Sequence, residues 1–289
     1  MKFDLKANKE HKQISVKQVK LKRQETVLQK RNFFLVKRLK TILIIIIFFI
    51  LYYTSAYISG FENINVILKL PLGFIWLVKN FIPDAESLKH LPIILKSFAE
   101  TCAAAITATT MSSLVAFILA VLGSETTGIN KSFKIILSFI ASFLRNIPLV
   151  AWAMLLLFSF KQNNFTGFAA LFIVTLGHLL RAFKEMIDET TSDSFYALRA
   201  LGAPYFSAVF QAVIPNTAAG LVSWLLYALE TNVRDSALIG ILTGTGIGFL
   251  FNLYFKSFRY NSAGLIILVL VISVLIIDVL SNKIRKGLL

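Results

Sequence analysis

Charge is scarce in this chain. Of its 289 residues only 16% are Asp, Glu, Lys or Arg, where an ordinary soluble domain has roughly 25%. With 56% hydrophobic residues, 26 Phe and a mean hydropathy of +0.72, this shortage excludes a soluble globular class. Several apolar runs reach about 20 residues, the length that crosses a bilayer, so a polytopic membrane protein is predicted. Cysteine is nearly absent. Cys102 stands alone, which excludes an internal disulfide, and its Ala/Thr-rich surroundings read as a small buried side chain. The three histidines, His11, His90 and His178, are scattered, and no His/Cys metal spacing occurs. No Gly-x-x-x-x-Gly-Lys-Ser/Thr phosphate loop is present, so the chain does not bind ATP through that motif. No catalytic constellation stands out, so an enzyme is not expected.

What charge there is, is concentrated. The net charge is +15, and residues 1–40 carry 13 Lys/Arg against Asp4, Glu10 and Glu25. A basic tail beside a membrane span marks the cytoplasmic side and is drawn to anionic lipid. Membrane lipid, not nucleic acid, is therefore the expected partner of this segment. Its distal part, Ser15–Lys40, is compatible with a surface-lying helix. The basic stretch is far longer than a signal n-region and no small-residue cleavage site follows, so the first span is expected to remain as an anchor.

Six spans are predicted. The first covers Thr41–Ile58, with Tyr52, Tyr53 and Tyr57 at the far interface. Ile64–Phe81 is apolar but interrupted by Lys69, Pro71, Gly73 and Lys79, and reads as an amphipathic helix on the outer interface. A true span there would invert everything downstream. Span two, Ser97–Leu122, is rich in Ala, Thr and Ser, and such small residues suit the bundle centre. Ser132–Leu144 is short and ends at Arg145-Asn146-Ile147-Pro148, because Pro disfavours helix in the residue before it and opens a new one after. Span three follows over Pro148–Phe160, span four over Gly167–Lys184, span five from Pro215 or Asn216 to Val233, and span six over Ala263–Leu280. Lys283, Arg285 and Lys286 close the chain, so both termini are predicted inside. The Gly-rich backbone within 235–255 is expected to line a pore or its mouth, since irregular backbone at membrane depth needs protein or water around it.

Between spans four and five lies a polar insert, about Asp188–Pro215. A helix over Ser192–Leu201 would stop at Gly202; a second would run from Tyr205 to Ala212 and end before Pro215. Phe195, Leu198 and Leu201 share a face of the first; Phe206, Val209, Phe210 and Val213 share a face of the second. Two short amphipathic helices on a Gly-x-Pro turn suit a partner's hydrophobic groove. Packing on the protein's own bundle is the other reading.

The spacing from Gly202 to Pro215 resembles the EAA loop of binding-protein-dependent ABC importer permeases, the loop that couples a permease to its ATPase. Ala197, Gly202 and Pro215 match that pattern. Tyr196 stands in place of Glu, Leu198 in place of the second Ala, Ala212 in place of Ile and Ile214 in place of Leu. Three further stretches resemble the phosphonate branch: Arg145-Asn146-Ile147-Pro148 with Trp152-Ala153, Asn232-Val233-Arg234-Asp235-Ser236, and Gly240 through Gly248. The resemblance covers about residues 97–285.

It implies an all-α, six-span subunit with the core of a type I ABC importer permease. The basic segment 1–40 and the first span with its interfacial segment, 41–96, would precede a permease domain, 97–285, whose coupling segment is about 192–213. Tyr196, Ala197, Leu198, Arg199, Gly202, Ala203, Pro204 and Pro215 would contact the ATPase. The implied partners are ABC ATPase subunits, an extracytoplasmic solute-binding protein and a second permease, identical or related. ATP would be bound by the partner; no cofactor is implied here. The substrate implied is phosphonate, phosphate or phosphite.

The residues support a path in their own terms. Glu230, Asn232, Arg234 and Asp235 cluster near the expected outer end of span five. Ionisable groups within a membrane persist where they face water or pair internally. Glu230 and Arg234, four apart, can form a local ion pair, while the Arg234 fork also suits an oxyanion. Arg145, Asn232, Arg234, Gly244 and Gly246 are the candidate pathway residues. At the inner end of span four, His178, Arg181, Lys184 and Glu185 are suited to snorkelling to the headgroups or to contacting the coupling segment. A methionine-type importer permease is the nearest rival, and an ion-coupled secondary transporter, which more often shows internal repeats, a more distant one.

Overall fold

A computed structural model describes residues 36–61 and 63–288. The surface helix expected over Ser15–Lys40 falls almost wholly outside them. Among the described residues the chain is helical throughout, with no strand. The helices are α1 (Val36–Ile58), α2 (Asn63–Phe81), α3 (Ala85–Leu88), α4 (Leu91–Gly123), α5 (Lys131–Asn146), α6 (Leu149–Phe160), α7 (Asn164–Ala200), α8 (Tyr205–Ala208), α9 (Ile214–Thr243), α10 (Gly246–Lys256) and α11 (Tyr260–Leu288). A π-helical turn, Val209–Val213, joins α8 to α9. Two compact units are distinguished, one ending at Ile75 and one beginning at Trp76.

Five helical stretches are individually long and apolar enough to cross a bilayer: α1, α4, α7, the continuous α8–α9 and α11. Span three, expected over Pro148–Phe160, is the second half of a bent pair, and counting that pair as one crossing brings the number to six. Helices α5 and α6 meet at 92° across a break at Ile147-Pro148, where Pro148 cannot continue the α5 hydrogen-bond ladder. Helix α2 is not among the crossing candidates.

The first unit holds α1 and most of α2. In the second unit the helix ends follow local chemistry. Asp84 caps α3: its carboxylate accepts the Ser87 N–H at 2.7 Å, and the Ser87 hydroxyl accepts the Asp84 N–H at 2.9 Å. The Ser87 N–H holds the Asp84 carboxyl below the usual carboxylate range. The Asn130 side chain caps α5 through the Ser132 N–H, and Asn163 caps α7 through the Thr166 N–H.

Two expected boundaries move. Span four and the insert's first helix are one rod, α7, of 37 residues and about 55 Å. Pro215 does not end the second helix. It sits in the first turn of α9, directly after the π turn, where the Ile214 N–H reaches back to the Val209 carbonyl. A proline removes one donor and crowds the carbonyl four residues before it. A π bulge widens the helix there and lets it continue.

The small-residue helix α4 packs on α5, α7, α9, α10 and α11, as its composition suggests. The most enclosed span, however, is α7, half of whose apolar stretch is buried against a third for α4. One core cluster gathers Ala116, Leu180, Phe183, Ile187 and Val213 from α4, α7 and the π turn. A second gathers Ile94, Ile247 and Ile266 from α4, α10 and α11.

Candidate functional site

At the end of α7 the chain reverses through a Schellman turn. The Ala203 N–H donates to the Leu198 carbonyl and the Gly202 N–H to the Arg199 carbonyl, each at 3.1 Å. Gly202 takes φ +85°, a region costly for residues with a Cβ. Arg199 Nη1 donates to the Ala203 carbonyl at 2.8 Å and ties the turn from outside. Pro204 is the N-cap of α8. The result is a hairpin formed by the ends of two long helices, not a pair of short independent ones.

The two expected apolar faces divide. Phe195, Val209 and Val213 are buried, and Leu198 packs against the same core. The opposite side is bare: Tyr196 is 56% exposed, Leu201 85%, Phe206 74% and Phe210 66%. Ala197, Arg199, Gly202, Pro204 and Pro215 are exposed, and Ala203 is half-buried. The insert thus packs on its own bundle through one set of apolar side chains and shows another.

Behind the hairpin, α7 is fastened to the α4–α5 loop. The Asp188 carboxylate accepts the Thr126 N–H at 2.8 Å and the Glu125 N–H at 3.1 Å. The Lys184 ammonium donates to the Ser138 hydroxyl on α5 at 2.6 Å. These contacts join the loop and α5 to the helix that carries the turn.

Arg145 occupies the last turn of α5, at the 92° bend. Gly177 on α7 allows the approach: a Cβ there would lie 2.8 Å from Leu144 Cβ and 2.9 Å from the Arg145 backbone N. The Trp152 indole N–H donates to the Leu144 carbonyl at 3.1 Å, satisfying an acceptor that the helix end leaves open. Its ring meets Phe143 edge-on at 6.0 Å. The Arg-x-Ile-Pro-x-x-x-Trp pattern is therefore a bend lock that sets Arg145 beside α7.

The charged stretch of α9 lies within the helix, not near its outer end, because α9 continues to Thr243. Asn232 is 4% exposed. Its amide donates to the Thr109 hydroxyl of α4 at 2.8 Å, and its carbonyl oxygen accepts the Thr175 hydroxyl of α7 at 3.0 Å. It is foremost a clamp among three helices. Arg234 is exposed and paired with Glu230 at 2.8 Å; Glu230 also lies 3.9 Å from Arg285 of α11. Gly244, at φ +69°, ends α9 and Gly246 opens α10. The Ile247 N–H donates to the Thr101 hydroxyl at 2.9 Å and holds this turn against α4.

Two cavities flank the Asn232 clamp. One, about 400 Å³, lies toward the end of α7 remote from the hairpin and is lined by Glu100, Thr101, Asn164, Ser236, Thr245 and Gly246 among others. The other, about 360 Å³, lies on the hairpin side and includes Arg145, Thr175, His178, Arg181, Asn232 and Asp235. The candidate pathway residues are thus divided. Arg145 and Asn232 line the hairpin-side cavity, Gly246 the remote one, and Arg234 and Gly244 neither. Among the described residues no group of three His, Cys, Asp or Glu is placed to hold a metal ion.

Residues 112–287, more than half of the chain, match the family described as binding-protein-dependent transport system inner membrane component. The chain belongs to this family. It is 28% identical over 144 residues to the phosphate-import permease protein PhnE of Mycolicibacterium smegmatis, over 50% of this chain and 27% of that one. It is 26% identical over 229 residues to the putative phosphite transport system permease protein HtxC of Stutzerimonas stutzeri, over 79% of this chain and 80% of that one. An inward-facing structure of the MetNI methionine ABC transporter superposes with a TM-score of 0.61 at 19% identity, covering 70% of this chain and 98% of that one; that likeness is one of fold. The bundle described above is accordingly the fold of an ABC importer's membrane subunit, and the protein is a multi-pass membrane protein.

Several residues that build the site are silent in the sequence. Thr109 and Thr175 look like two more hydroxyls on apolar helices until Asn232 is placed between them. Gly177 carries no turn signal; a glycine inside a span is the one clue to a close approach. Asp188 marks the start of the polar insert, but its role as acceptor for a loop 62 residues earlier is visible only in the fold.

Proposed function

We propose that this inner membrane component is the translocating subunit of an ATP-driven importer for a phosphorus oxyanion. The exposed apolar row on the hairpin carries the reading. Tyr196, Leu201, Phe206 and Phe210 stand bare on a turn stiffened by the Schellman bonds and by Arg199. Contiguous exposed apolar surface marks an interaction site. The EAA-like spacing supports an ABC ATPase as its partner, which would bind the ATP. The substrate class follows from the two relatives, named for phosphate and phosphite transport.

In this arrangement a solute-binding protein delivers the anion to the face remote from the hairpin, and a second permease chain completes the path. Both termini and the hairpin face the cytoplasm, in keeping with Lys283, Arg285 and Lys286 at the end of α11. Movement of the ATPase would reach the bundle through α7, which runs unbroken from the turn to the α4–α5 loop contacts and on to Thr175. Tyr196 gives the contact an aromatic rather than a carboxylate character.

Proteoliposomes holding this chain with its ATPase and binding protein test the reading. ATP-dependent uptake of phosphite, phosphate or a phosphonate is expected. Uptake of methionine instead would transfer the chain to a different substrate class, and uptake without ATPase would exclude the importer mechanism.

A further inference from the structure

The hairpin-side cavity contains a cation without an ion-pair partner among the described residues. The other arginines near the path are tied. Arg181 Nε lies 2.6 Å from Glu185, Arg234 lies 2.8 Å from Glu230, and Arg285 lies 3.9 Å from the same carboxylate. Arg145 has no such ion pair among the described residues, and its Nε is buried without a hydrogen-bond partner. Asp235 lines the same cavity, also without an ion pair among the described residues. His178 lines the same cavity as Arg145 and Asp235.

Such an arrangement is costly unless something charged or wet fills it. A guanidinium in a membrane domain is ordinarily paired or hydrated, and a buried donor is ordinarily satisfied. Here Gly177 and the Trp152 lock hold Arg145 at the α5–α6 bend beside α7. The cavity, about 360 Å³, has space for several waters or a hydrated ion. Its planar donor fork matches two oxygens of a tetrahedral anion.

We infer that the cavity bounded by Arg145, His178 and Asp235 is a transit site for the oxyanion, with Arg145 as its anchor and Asp235 as the competing charge that keeps binding weak. A translocation site must release what it binds. Asp235 supplies the repulsion, and Thr231 adds a hydroxyl to the lining. The assignment moves the anion site from Arg234, which Glu230 already neutralises, to Arg145. It rests on the phosphorus-oxyanion reading above.

The test uses the reconstituted transporter with two readouts: ATPase stimulation by loaded binding protein, and phosphite uptake. Arg145→Gln is expected to keep stimulation within about twofold while uptake falls by about tenfold or more. Arg145→Lys should recover part of the uptake. Asp235→Asn, which leaves the bend untouched, provides the second arm. By phosphorus NMR line broadening on the purified transporter it should bind phosphite more tightly than the parent protein. Unchanged uptake in Arg145→Gln, equal loss in the Lys and Gln variants, or unchanged phosphite binding in Asp235→Asn would overturn the site. Loss of uptake in Arg234→Gln with retention in Arg145→Gln would return the anchor to Arg234. Failure of the parent protein to transport any phosphorus oxyanion would instead refute the substrate reading.

Discussion

Asn232 donates to the Thr109 hydroxyl across the α9–α4 contact at 2.8 Å, and the same side chain accepts the Thr175 hydroxyl of α7. One amide thereby pins three helices at the level between the two cavities. Interhelical hydrogen bonds in membranes contribute about 0.6 kcal/mol on average and up to about 1.7. Replacing Asn232 by Leu removes both, so a loss of about 1–3 kcal/mol is expected, measured as a lowered thermal midpoint in detergent. Thr109→Val combined with Asn232→Leu should cost less than the sum of the two single changes, because both remove one bond.

Gly177→Val should be among the most disruptive single changes in the bundle. Its Cβ alone would lie 2.8 Å from Leu144 Cβ and 2.9 Å from the Arg145 backbone N. Helix α5 would have to move away, at a cost of about 1–3 kcal/mol. Expression and monodispersity should fall, and in any surviving fraction Arg145 should become more accessible to a guanidine-modifying reagent. Gly73, with nothing within 4 Å of its ideal Cβ, is the matching position where valine should be tolerated far better.

Asp188→Ala removes the acceptor of two backbone N–H groups in the α4–α5 loop. Hydrogen bonds to charged groups contribute about 1.5–3 kcal/mol. Faster hydrogen exchange at Glu125 and Thr126 is expected, with the transmembrane part of α4 unchanged. If α7 transmits motion through this loop, uptake should fall more than ATPase assembly does.

The legibility of the sequence depended on whether the signal was local. Gly202 was readable as a helix stop because a positive φ has a residue preference, and the Schellman turn lies where that preference points. The span count is legible because apolar length is local; what length does not tell is that Lys131–Asn146 and Leu149–Phe160 form one bent pair. Pro215 signals a break in the sequence and gives no hint that a π turn before it absorbs the distortion. Glu230 and Asp235 are expected near the outer end of span five; in the fold they lie within α9, one paired with Arg234, the other lining a cavity. Arg145, His178 and Asp235 lie on three helices, and no sequence spacing announces their meeting.

Whether the ATPase docks on the hairpin is decided by co-purification of the ATPase with a hairpin variant. Leu201 and Phe206 are largely exposed and make little of the core, so Leu201→Asp with Phe206→Asp should leave the bundle's thermal midpoint nearly unchanged. The predicted result is a loss of ATPase recovery by about tenfold or more, with solubility in detergent preserved. Recovery equal to that of the unaltered chain, with equal stimulated ATP hydrolysis, would contradict the claim that this turn is where the ATPase docks.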